Sequence, residues 1–434
     1  MTTKMNIKKF IISAIIGTAA CFSGCKQSEF DYKMVEVSAE DVSAINFYTG
    51  SDMLIADGKA TLKFIVETNK TIKNADGTTA SQLFDYRKLP AGTVKIYEQT
   101  SNKEVGFTYN TSTAVAGSKL KFYAQVGNIK SPVKEVTIRA TPPVLPTLYV
   151  DVIFHVWELN PTNVAYDPSS FQPTNYSDIV NGVKIMNDII NNKVGNAPNG
   201  ATANIVFRLA TKNVAGQTLQ YPGYDRIVYS DEVKNNPLVL AINPADFTGF
   251  INKTPANVAK YIWNPKSYLN IHLLPFGSGT FLGTLSPPKQ LAPGLGEVSI
   301  PGITGIAANE DDFVTTTQAQ STTVLMPYTV FRPGFERRIE IFNIIGIFYG
   351  LYSPAFTTAR LYSDFCQDTP EYNSTNQDIT TTIQTAINGE KFFLENAMDD
   401  NRNPSSHNSL TLDQVNRMRS VLLRCPGRMN SKTQ

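Results

Sequence analysis

Histidine is almost missing from this chain. Three occur in 434 residues, His155, His272 and His407, and no two are spaced i, i+4. A tight zinc site needs three or four nitrogen, sulfur or carboxylate ligands, and the helical form that places two His one turn apart is thereby excluded. Cysteine is as scarce, with four residues and no Cys-x-x-Cys pair. No Gly-x-Ser-x-Gly elbow and no phosphate-binding loop appears, and no block of basic residues stands out. Nucleic-acid binding therefore has no electrostatic footprint. His155 and His272 lie in apolar stretches that read as strands and are expected to be hydrogen-bonded core residues. His407, within the polar stretch 401–408, is expected to be solvated. Spacing alone leaves open a ligand set assembled from distant segments.

What is present begins with a processing signal. Lys4, Lys8 and Lys9 precede an apolar run from Phe10 to Phe22, too short to be a stable membrane span. Phe22-Ser23-Gly24-Cys25 then reads as a lipobox, with residues 1–24 removed and Cys25 lipidated. Several acyl chains on one residue make a stable anchor. The mature chain would hold 410 residues, and losing three of 39 basic residues leaves 36 against 37 acidic, a net charge near −1. Of the four cysteines, Cys21 leaves with the signal, so Cys366 and Cys425 remain. In an oxidising envelope they are expected to pair, closing a loop of about 60 residues worth roughly 4 kcal/mol by chain entropy. Two buried thiols are the other reading.

Length and composition fit two or three domains. Residues 25–36 read as a tether. From 37 to 140 the pattern is all-β, with period-two alternation in 60–68, 93–97, 119–125 and 133–139. This stretch resembles bacterial immunoglobulin-like modules and reads as a sandwich spacer. Residues 141–147 contain the proline-rich Thr141-Pro-Pro-Val-Leu-Pro146, a stiff linker. Beyond it, strand 148–156, a helix from an N-cap at Ser177 to Asn192, and strands 203–209 and 268–274 alternate as an α/β (α+β) domain should, ending near 430. Ile179, Val183, Met186 and Ile190 supply the apolar stripe of that helix.

The segment from Asn343 to Ser353 carries the frame of a zinc-protease motif. Set on the signature H-E-x-x-H-x-x-G-x-x-H, Gly350 falls on the required glycine, and Ile345, Gly346, Leu351 and Tyr352 match the wording H-E-I-G-H-x-x-G-L-Y-H of the pappalysin-like metallopeptidases. The four positions that would carry ligands and base hold Asn343, Ile344, Ile347 and Ser353. Five further stretches are similar to this family in the same order. They are 148–156 with 263–275, the Cys366-Gln-Asp-Thr-Pro370 segment, Glu395-Asn-Ala-Met-Asp399 with Met398 at the Met-turn, and the closing segment 410–423. The chain thus resembles a degenerate pappalysin-like, metzincin-type lipoprotein of Bacteroidetes.

That resemblance implies a metzincin-like fold, and a helix from about Phe335 to Gly350 with its vacant zinc positions repacked as core. No zinc is expected; a calcium role for Asp368-Thr-Pro370 is carried by the resemblance alone. Asp400 stands where relatives often have a tyrosine. The expected function is non-enzymatic: a lipid-anchored outer-membrane protein, cell surface favoured over periplasmic face, that binds an unidentified peptide or protein. The alternative is an active metallopeptidase, or other hydrolase, with a non-standard site.

Overall fold

The computed structural model describes residues 37–158, 174–228, 251, 253–274, 323–331, 338–356, 364–376, 381–399, 407–424 and 431–432. Cys25 and Cys425, the Glu310-Asp-Asp312 cluster and Asp400 lie outside them.

The N-terminal part is built from strands alone, apart from two short 3-10 turns. Strands β1 (Ala44–Tyr48), β2 (Met53–Ile55), β3 (Ile65–Lys73), β4 (Thr79–Phe84), β5 (Val94–Glu98), β6 (Lys103–Val105), β7 (Lys119–Val126) and β8 (Lys134–Arg139) form two main sheets. One has the order β1-β3-β4 and the other β2-β8-β7-β5-β6. Alternation sends Ile45, Phe47 and Val66 of the first sheet, and Ile96, Phe122, Ala124, Val136 and Ile138 of the second, into one shared core. Side chains at period two can do this only if each strand turns one face inward.

The second part is a mixed α/β layer. Strand β9 (Leu148–Glu158) runs parallel to β10 (Ile205–Leu209) through its first half and to β11 (Tyr224–Val228) through its second. On its other side it pairs in parallel with β12 (Leu269–Leu274), and β12 pairs with β13 (Thr323–Pro327). Parallel pairing needs crossovers, and helix α1 (Tyr176–Ile190) provides the one from β9 to β10. Its buried Ile179, Val183, Met186 and Ile190 face Val150, Val152 and Phe154 of β9. Each such side chain contributes about 1.5–3 kcal/mol of burial. The helix starts two residues before the expected cap, with Asn175 rather than Ser177 at the N-cap.

The opposite face of β9 is covered by helix α2 (Pro255–Tyr261), capped by Thr254, whose hydroxyl accepts the Asn257 N–H, with Pro255 in its first turn. There Trp157 packs on Tyr261 at 4.9 Å and donates to His272 Nδ1 at 3.0 Å. Ser431–Lys432 returns antiparallel to β9, Lys432 opposite Tyr149, so the second part extends past residue 430.

The all-β part is not a detached spacer. Backbone N–H groups of Ile55 and Thr61 donate to Pro198 and Asn196 across the junction, both at 2.9 Å. Lys63 pairs with Glu395, Lys134 with Glu390, Glu67 with Lys391, and Arg139 with both Asp368 and Asp413.

Candidate functional site

Helix α3 (Arg338–Phe348) carries the motif frame, and its apolar run explains its depth. Ile341, Phe342, Ile344, Ile345, Phe348, Tyr349 and Leu351 are all buried in the core of the second part. From Ile341 to Leu351 only Asn343 and Ile347 are half-buried rather than buried. They stand one turn apart, so they share one side of the helix. Ile344, at the position of the base, is 1 % exposed. Ile344 is thus buried in the core, whereas Ile347 is half-buried and lies against the edge of the core.

The helix stops where the frame requires a glycine. Gly350 adopts φ +87°, its N–H donates to the Ile347 carbonyl, and the Leu351 N–H reaches back to Gly346. That is a Schellman ending, in which a left-handed residue satisfies the last free carbonyls. Ser353, at the third ligand position, is half-buried, and its Oγ accepts the Ala355 N–H at 3.1 Å.

Beneath the helix lies the turn of Met398. A Cβ added at Gly346 would sit 2.5 Å from Met398 Sδ, so the glycine lets the helix close on the turn. The turn is held by polar groups: the Met398 N–H donates to Asn396 Oδ1 at 2.8 Å, and Asn396 Nδ2 donates to Gln414 Oε1 at 2.8 Å. His407 is buried, 1 % exposed, with Nε2 3.1 Å from the Asp399 carbonyl oxygen. The expectation of a solvated His407 is corrected. Helix α4 (Leu412–Arg424) closes the site. Arg417, 2 % exposed, donates from Nε to the Gly350 carbonyl, and its guanidinium lies 5.4 Å from the Tyr352 ring and 5.1 Å from that of Phe365. Its role was not legible in the closing segment, where it reads only as a basic residue on a helix.

The other histidines sit in the sheet as expected. His155 Nδ1 is 2.7 Å from Asp225 and Nε2 3.0 Å from Asn270 Oδ1, and its ring stacks on His272 at 4.7 Å. Burial, and after it the neighbouring His155, push His272 well below its usual range. Among the described residues no three His, Cys, Asp or Glu side chains are grouped to hold a metal. An amide at 343, an alkyl group at 347 and a hydroxyl at 353 do not make a Zn²⁺ donor set.

The Cys366–Pro370 loop flanks the site. Cys366 is buried, and burial first, then nearby Asp364, pushes its thiol well above its usual range; its expected partner Cys425 lies outside the described residues. Asp364 is 1 % exposed and accepts from Thr369 Oγ1 and the Cys366 N–H. Burial raises its carboxyl to about 7; burial and Asp413 raise Asp368 to about 6. Asp368 already faces a guanidinium, which supplies the positive charge a calcium ion would bring.

Residues 342–423 match the family model described as pregnancy-associated plasma protein-A. That match runs from within α3 through the Met398 turn into α4. Mature mirolysin of Tannerella forsythia in complex with a cleaved peptide overlays with a TM-score of 0.48 and 19% identity, over 67% of this chain and 96% of that one. A promirolysin variant of the same organism overlays at 0.47 and 18%, over 66% and 85%. Overlaps at that level settle neither activity nor substrate. No curated protein sequence matches the chain.

Proposed function

We propose that this chain is a lipid-anchored protein of the outer membrane whose pappalysin-like domain has lost its zinc and binds an extended peptide or protein segment. An immunoglobulin-like unit precedes the domain, and the outward face of the membrane is the favoured location. One observation carries the reading. Among the described side chains of α3, Ile341 to Phe348, the two that are not fully buried are those where the family frame calls for metal ligands, Asn343 and Ile347. An amide offers a donor and an acceptor to a peptide backbone, and a half-buried isoleucine offers an apolar contact. Neither side chain can activate water through a metal. A half-buried helix face of this kind suits main-chain recognition with one apolar side-chain contact.

The test has two parts. Mature protein purified without chelators is expected to hold no stoichiometric zinc by elemental analysis; one zinc per chain would sink the loss of metal. Panning the same protein against an extended-peptide library is expected to enrich a common motif. Enrichment unchanged by Asn343→Ala and Ile347→Ala would remove binding from this cleft.

A further inference from the structure

We propose that Arg139 is a positioning residue that fastens the N-terminal unit to the Asp364–Glu371 loop and, through α4, sets the end of α3. It ends β8 and reaches out of the all-β unit. Its guanidinium pairs with Asp368 Oδ2 and, at 2.8 Å, with Asp413 Oδ1. Asp413 lies in the first turn of α4, and its N–H donates to Asp368 at 3.1 Å while its Oδ2 accepts the Gln367 N–H at 3.1 Å. Strand, loop and helix start thus meet at one cation.

That cation has work to do. Asp364, Asp368, Glu371 and Asp413 crowd the loop, and their repulsion adds to burial in holding Asp364 and Asp368 above the ordinary carboxylate range. The ion pairs reaching Asp368 and Asp413 both come from Arg139. The other pairs across the junction, like Arg139–Asp413, involve partly exposed side chains, where solvent screening leaves little energy, so Asp368 sets this site apart. The Asp368 side chain is fully buried.

The path continues one turn along α4. Asp413 and Arg417 are four residues apart on the same side, and Arg417 holds the carbonyl of Gly350. Leu412, at the start of α4, packs against both hydrophobic cores. The consequence of this path is a measurable response at its far end.

Hydrogen exchange on the full mature chain supplies it. In Arg139→Met, amides of 364–371 and of 349–351 are expected to exchange about tenfold faster, while those of β1 and β3 stay protected. Arg139→Lys, which keeps the charge but not the fork, should recover part of the protection. Faster exchange in 364–371 with 349–351 unchanged would reduce Arg139 to a local role and overturn the proposal. If Arg139→Met does not fold, Asp413→Asn gives the same reading, and unchanged 349–351 there overturns it equally.

Discussion

Gly350 supports no chemistry, yet it is the residue of the motif with the firmest physical reason to stay. Its backbone is left-handed, a region that costs other L-residues about 1–2 kcal/mol. Gly350→Ala is therefore expected to lower unfolding free energy by roughly that amount in denaturant titration, with Gly350→Asn milder. A glycine at this place shows that the helix ends here, and by itself says nothing of a metal. Asp364 and Asp368 make a second expectation. Unfolded, both ionise near 3.8; folded, near 7 and 6. Between about pH 4 and 7 the folded state holds protons that unfolding releases, so stability falls as pH rises through that window and levels above it. Denaturant midpoints from pH 4.5 to 8 should show the decline, and Asp364→Asn should flatten its upper half. Of the histidines, 155 and 272 were legible because they lie in apolar runs, as strands buried on both faces do. His407 was not, since its burial depends on the Met398 turn folding back over it, which a polar local stretch conceals.

At the scale of elements, α1 was readable from helical spacing, because burial in a helix repeats with the backbone, whereas α3, apolar on nearly every side, was readable only from the motif frame. The half-open side of α3 was not, because it depends on what lies across from Asn343 and Ile347. If that side is a vacant ligand face, it can be refilled. Changing Asn343, Ile347 and Ser353 to His and Ile344 to Glu would restore two ligands one turn apart and a third beyond the Gly350 bend. Placing a carboxylate at the buried Ile344 costs several kcal/mol without metal. Zinc should raise the melting temperature of this variant and leave that of the parent unchanged. A folded variant indifferent to zinc would mean that α3 does not lie on the zinc frame as aligned.

For the whole molecule, the anchor and the junction set the expectations. If Cys25 is lipidated, Cys25→Ser moves the protein from the membrane fraction to the soluble one, checked by fractionation and by loss of labelled palmitate. The two-part organisation was visible in the switch from strand-only patterning to alternating strands and helices at the proline-rich stretch. Their junction was not visible, since its pairs join residues 229 to 332 positions apart and no local pattern encodes them. The aromatic inventory has a further use. Both tryptophans of the chain, Trp157 and Trp263, are buried around the sheet of the second part, and the all-β part has none. Red-edge-excited emission is thus a private signal of the second part, while circular dichroism sums both. Superimposable transitions from the two spectroscopies would mean that the parts melt as one body; a split would resolve the order in which they come apart.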